Sequence, residues 1–281
     1  MIIIKLKGGL GNQLFQYAFG RLLSIKNSVL VKYEFLVLKG DAQREYKLEY
    51  FNTKIEFPTP EEIKKIKYPY GIFYKIGDFI KKKILGQYNI GYIPSALNKK
   101  SGYLEGYWQS YKYLDPIRNI LLKEITLKEP VENKYGELLN QIYDADSISI
   151  HIRRGDYVND PKTKAIHCTF GLEYYQDAIK MIKEKISNPT FFVFSDDIKW
   201  VKQNLKIDFP AIFVSNPKIK DYGELIIMSK CKNNIIANSS FSFWGAWLNQ
   251  NPNKIVIAPQ KWNNKYQKDY KDLLPKEWIQ I

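Results

Sequence analysis

From residue 147 onward the chain keeps one rhythm: a short apolar strand, a polar turn, a helix, and a strand again. Strands are read at 147–152, Thr190–Phe194, Ala211–Val214, Asn234–Ala237 and Lys254–Ala258. Helices at Leu172–Ile186, Ile198–Leu205, Tyr222–Cys231 and Phe243–Leu248 fall between them. Parallel neighbours in a sheet need a crossover, and a helix supplies it, so this alternation points to a parallel, doubly wound α/β sheet. Right-handed crossovers bring all the strand ends out on one edge, where ligands of open α/β sheets bind. Three of those ends carry polar clusters: Arg153–Arg154, Ser195–Asp196–Asp197, and Asn238 through Ser242.

The centre of the pattern is Ser147-Ile-Ser-Ile-His151-Ile-Arg153-Arg154-Gly155-Asp156-Tyr157. Its polar–apolar alternation as far as Ile152 is that of a strand with one buried face. An arginine fork can donate two parallel hydrogen bonds and is always charged, which suits a diphosphate. A solvated strand end with Asp156 paired to an arginine would look the same on this segment alone. The convergence of three polar strand ends favours the ligand site.

A second strand–turn–helix opens the chain. Ile2–Leu6 reads as a buried strand, Gly8-Gly9-Leu10-Gly11-Asn12-Gln13 as a turn, and Leu14, Phe15, Ala18, Leu22 and Ile25 as a helical stripe. Such a turn presents backbone N–H groups and a helix N-terminus to an anion. No Gly-Lys-Ser/Thr follows, and the spacing is not that of a dinucleotide fingerprint. Glu61 to Leu85 is helical and basic, with Ile72, Phe73, Ile76, Phe79, Ile80 and Ile84 on one face and Lys75 and Lys81–Lys83 on the other. Such a helix usually packs on its own domain with a solvated lysine face; it also fits peripheral contact with an anionic membrane. Proline at Glu129–Pro130 marks a hinge, dividing the chain into residues 1–130 and 131–281.

The 281 residues carry a formal charge of +14, which draws anions: nucleic acid, an acidic membrane surface or phosphorylated substrates. Two cysteines, Cys168 and Cys231, give no disulfide framework, and with His151 and His167 they make no conventional zinc cluster. Lys5 and Lys7 interrupt the apolar start, so neither a signal-peptide core nor a membrane span is expected, and the protein is placed in the cytoplasm, or at the inner face of the membrane if the basic helix docks there.

Taken together, Gly8-Gly-Leu-Gly-Asn-Gln-Leu-Phe-Gln-Tyr-Ala18, Gly106-Tyr-Trp-Gln-Ser110, His151-Ile-Arg-Arg-Gly-Asp-Tyr157, Ser195–Asp197, Ile235 through Leu248 and Ala258–Pro259 ahead of Trp262 resemble bacterial α-1,2-fucosyltransferases of glycosyltransferase family 11. The resemblance implies a GT-B fold, with two facing Rossmann-like domains and mainly parallel sheets: an N-terminal acceptor side and a C-terminal donor-binding side. It implies inverting, metal-independent transfer of L-fucose from GDP-fucose to the 2-hydroxyl of a terminal galactose in a surface glycan, with no cofactor beyond the donor itself. Arg153 is then implied to hold the β-phosphate, with Arg154 and Asp156 supporting its loop. His151 is implied to lie near the nucleoside, and Asp196 and Asn238 to belong to the donor site. Ser239, Ser240, Phe241 and Ser242 would line its phosphate and fucose side. Asn12, with the Gly9 and Gly11 turn, would reach the donor. Glu224 stands where an aspartate contacting guanine is common, Asn233 where a histidine is often seen, and Phe243 where a tryptophan is frequent.

The chemistry fits independently of the name. Departure of GDP needs its developing charge neutralised, which arginine and helix-end donors can do. Asp144-Ala-Asp146 resembles a metal-binding pair but precedes the central strand, where capping and solvation account for it. The acceptor hydroxyl needs a proton acceptor, and Asp156 is the nearest carboxylate, yet the arginines compete for it. Two other classes share some of these features: a basic nucleic-acid-binding protein, and a non-catalytic GDP-sugar-binding protein. The first leaves the glycine-rich turn and the Arg–Arg strand end unexplained, so no nucleic-acid partner is expected.

Overall fold

The computed structural model describes residues 1–35, 45–67, 89–155, 158 and 170–281. Asp156 and most of the basic segment read over 61–85 lie outside the described residues; helix α2 (Pro60–Lys67) covers its start. The chain forms two compact units, Met1–Ile125 with Asp269–Leu274, and Thr126–Lys268 with Pro275–Ile281. The break thus falls five residues before the proline hinge, and a short C-terminal segment returns to the first unit. Its Asp272 and Leu273 carbonyls accept from the Ser110 hydroxyl and the Tyr111 N–H, and its Asp272 carboxylate pairs with Lys112 at 2.6 Å.

In the first unit, strands β1 (Ile2–Leu6), β2 (Val31–Phe35) and β3 (Gly102–Leu104) form a parallel sheet in the order β2-β1-β3. Helix α1 (Leu10–Asn27) follows β1 directly and buries Leu14, Phe15, Ala18, Phe19, Leu22 and Leu23. Its buried Tyr17 donates to Glu124 at 2.6 Å, and Arg21 grips the same carboxylate, joining α1 to helix α3 (Arg118–Glu124).

The second unit begins with α4 (Glu132–Asp144) and β4 (Asp146–Ile152). Then come α5 (Leu172–Lys185), β5 (Pro189–Ser195), α6 (Ile198–Asn204), β6 (Ala211–Phe213), α7 (Asp221–Lys230), β7 (Asn233–Ile235), α8 (Ser240–Leu248), β8 (Val256–Ala258) and β9 (Ile279–Gln280). All its strand pairs are parallel, in the order β6-β5-β4-β7-β8-β9. Numbered within the unit this is 3-2-1-4-5-6, the Rossmann order, with its switch point between β4 and β7. Ile148, Ile150 and Ile152 pack with Phe191, Val193, Tyr175, Ala178 and Ile182 in one apolar cluster. The alternate residues Ser147, Ser149 and His151 are also buried, on the other face of the sheet.

Most expected elements differ from these by a residue or two. Two differences matter more. Helix α8 begins at Ser240 rather than Phe243, because the Ser239 hydroxyl accepts from the Phe241 N–H and starts the helix early. The edge strand β9 escaped notice because two residues carry no periodicity.

Candidate active site

The register of β4 against β5 sets Ile152 opposite Ser195, so the residues after each strand end come together. Arg153 Nη1 lies 3.1 Å from Asp196 Oδ2, and the Arg154 N–H donates to Asp196 Oδ1 at 2.9 Å. One carboxylate therefore holds both the first guanidinium and the backbone of the second arginine. Gly155 permits this closeness: a Cβ there would stand 2.4 Å from Asp196 Oδ2. The Arg154 guanidinium turns elsewhere, with its carbon 3.2 Å from the centre of the Trp200 ring and Nε 3.4 Å from Asp197 Oδ2. Asp197 also caps α6 by accepting from the Trp200 N–H. Arg154 and Trp200 are thus held by one carboxylate.

Across the switch point, β7 runs through Ile236 and Ala237 into the start of α8. Of the five residues Asn238 to Ser242, three are used internally. The Asn238 amide donates to the Trp262 carbonyl at 3.0 Å, Ser239 caps the helix, and the Ser242 hydroxyl donates back to the turn carbonyls of Ala237 and Ser239. Ser240 and Phe241 are only partly buried, in a first helical turn without an acidic residue. That turn carries the positive end of the helix dipole.

His151 is buried, its ring 5.4 Å from that of Phe241 and its Nδ1 without a hydrogen-bond partner among the described residues. Burial, reinforced by the Arg153 charge, pushes it down to about 3, so it is neutral at physiological pH. Glu224, in the first turn of α7, is pushed up to about 7 by burial. A Ser215 hydrogen bond opposes the rise, while the Asp221 and Asp196 charges add to it. The Ser215 hydroxyl also accepts from the Ser195 N–H, so it links β5 to the surroundings of Glu224.

In the first unit the glycine-rich turn is organised around Gly8, whose φ of 81° is open to glycine but strained for other residues. Gly9, nominated with Gly11, is instead the extended residue preceding α1, with open space where a Cβ would be. Gln16 bonds the Lys7 N–H and the Gly106 carbonyl, joining the ends of β1 and β3. Gln13 donates to Gly8 and Glu45 carbonyls and accepts from Lys47. Asn12 projects from the first turn of α1, and its Oδ1 accepts from Gln109 Nε2 at 2.6 Å.

Sequence reasoning missed Gly8, Trp200 and Ser215. Only Gly8 had a signal, as one of three turn glycines. Among the described residues no group of three or more His, Cys, Asp or Glu is placed to hold a metal ion. Asp144 and Asp146 flank the start of β4, at the sheet edge opposite the arginines, where Asp146 pairs with Lys232 at 3.1 Å.

A basic strand end and a helix N-terminus follow the two neighbouring strands at the switch point of a Rossmann sheet, the edge where open α/β sheets bind ligands, and the chain is an α/β protein of the GT-B type. The model of glycosyl transferase family 11 matches residues 1–281, and the chain belongs to that family of glycosyltransferases. It is 36% identical to the O-antigen biosynthesis glycosyltransferase WbnK of Escherichia coli, covering 92% of this chain and 95% of the relative. It is 32% identical to an Escherichia coli alpha-1,2-colitosyltransferase, over 100% and 99% of the two chains. The crystal structure of fucosyltransferase NodZ from Bradyrhizobium is similar in fold, with a TM-score of 0.54 at 12% identity, over 87% of this chain and 91% of that one. POFUT1 in complex with GDP is similar at a TM-score of 0.50 and 14% identity, over 92% and 97%.

Proposed function

We propose that the protein transfers L-fucose from GDP-fucose to the 2-hydroxyl of a terminal galactose in a bacterial surface glycan, with inversion at the anomeric carbon. The observation that carries this reading is the Arg153 guanidinium, held by Asp196 at the end of β4, whose neighbour β7 leads into α8. A diphosphate set there meets a fixed positive charge and the positive end of a helix as its bond to the sugar breaks. Arg154, occupied by Trp200 and Asp197, stiffens the loop. Glu224, pushed up to about 7 by burial, accepts from guanine in its ionised form, and neutral His151 lies near the nucleoside. Ser239, Ser240, Phe241 and Ser242 line the phosphate and fucose side at the α8 terminus. Asn12, with Gly9 and Gly11 at the α1 terminus, donates to a substrate oxygen. Asp156 supports the loop that carries Arg153. The names of two Escherichia coli relatives, one of O-antigen biosynthesis and one an alpha-1,2-transferase, support a surface-glycan acceptor and the linkage. On this reading the enzyme works in the cytoplasm at the inner membrane face.

The colitosyltransferase relative favours a second reading, in which the donor sugar is colitose, which is fucose without its 3-hydroxyl. A screen of GDP-sugars against galactose-terminated oligosaccharides, with linkage analysis of the product, separates the two. An α-1,2-fucosylated product is expected. A colitosylated product formed in preference would transfer the assignment to the second reading, and turnover with no GDP-sugar would overturn both.

A further inference from the structure

The motif Gly106-Tyr-Trp-Gln-Ser110 is not used by the second unit's site, and the structure gives it a task in the first. Gln109 is buried, and its Nε2 donates to Asn12 Oδ1 at 2.6 Å, linking the loop after β3 to the turn after β1. Two side-chain amides joined by one hydrogen bond have two registers, because either can be the donor. With Gln109 donating, the Asn12 oxygen is occupied and its NH2 group stands over Gly8, where an added Cβ would come within 2.6 Å of Nδ2. Among the described residues none accepts from that nitrogen. Two N–H donors are therefore presented at the glycine-rich turn, beside the N-terminus of α1.

The loop that aims Gln109 is held firmly and under strain. Trp108 has φ of 55°, an uncommon conformation for a bulky residue, and its buried indole N–H has no partner among the described residues. Its ring is stacked on Phe19 of α1 with centroids 4.1 Å apart, and the Tyr107 and Gln109 N–H groups donate to the Asn89 and Ile90 carbonyls at 2.7 and 2.6 Å. Turning Trp108 left-handed brings its indole onto α1 and the next side chain onto Asn12.

We infer that Gln109 is a positioning residue for transfer: it locks the Asn12 amide in the register that offers NH2, not C=O, to a substrate oxygen. This rests on the reading that Asn12 touches substrate. The test is a double-mutant cycle with Asn12→Asp and the near-isosteric Gln109→Met, run with whichever GDP-sugar the screen turns over. Gln109→Met should lower kcat/KM about tenfold, the effect of one lost hydrogen bond, with the thermal midpoint little changed. On the Asn12→Asp background, which has no NH2 to orient, the same change should cost less than about twofold. Gln109→Glu, which can only accept, should flip the amide and lower kcat/KM at least as far as Gln109→Met. Full tenfold losses on both backgrounds would overturn the inference, as would a crystal structure with the two amides beyond hydrogen-bond reach. Normal kinetics in Asn12→Asp would instead remove the reading on which it rests.

Discussion

The two adjacent arginines have the same charge and the same place in the sequence, yet their surroundings differ. Arg153 keeps its guanidinium beside Asp196 at the sheet edge, whereas Arg154 is spent on the Trp200 face and Asp197. Arg153→Ala should therefore lower kcat by about 10²–10³, the usual effect of removing one donor from a developing anion, with little change in thermal midpoint. Arg154→Ala should act mainly on the fold, costing about 1–2 kcal/mol through the lost stacking and pair, read by urea unfolding. The reverse pattern would exchange their roles. His151 sits between structure and site. Its depressed protonation follows from burial first and from Arg153 second, so it can contribute a ring and a neutral nitrogen but not a charge.

At the scale of elements, the working parts are strand ends and the helices that follow them. The glycine-rich turn shows how one backbone conformation sets such a junction. Gly8→Ala should destabilise by about 1–2 kcal/mol for the left-handed φ, with crowding against Asn12 added. Gly9→Ala, with φ of −68° and open space around the new methyl, should leave the unfolding midpoint almost unchanged and raise the donor KM. Urea denaturation and steady-state kinetics on both variants check the contrast. If Gly9→Ala has a normal KM, the turn does not meet the donor. Much of this was visible beforehand: Ile2–Leu6, the glycine turn and the α1 stripe, and the alternation after residue 147, all follow from short-range periodicity. The early start of α8 was not, because it depends on one hydroxyl reaching a backbone N–H two residues on.

Over the whole molecule, the charge of +14 and the arginines at the end of β4 lead to one expectation about catalysis. If guanidinium and helix-end donors neutralise the departing diphosphate, transfer should persist in excess EDTA. An activity that collapses and returns with manganese would show that a cation carries that charge. No helix among the described residues is long and apolar enough to cross a membrane. Sedimentation with vesicles of anionic lipid, compared at low and high salt, would test the peripheral contact expected of the basic segment.

The sequence by itself determined the class of fold, the family and the positions at which polar residues leave the sheet. All three depend on periodicities and motifs that act over a few residues. Tertiary structure alone decided what each polar residue does. Register put Asp196 against Arg153, the indole of Trp200 took Arg154 out of contention, and a left-handed tryptophan brought Gln109 onto Asn12. Those pairings join residues 43, 46 and 97 positions apart in the chain. No local pattern encodes them, because each exists only when two packed elements fix the distance between side chains that are distant in sequence.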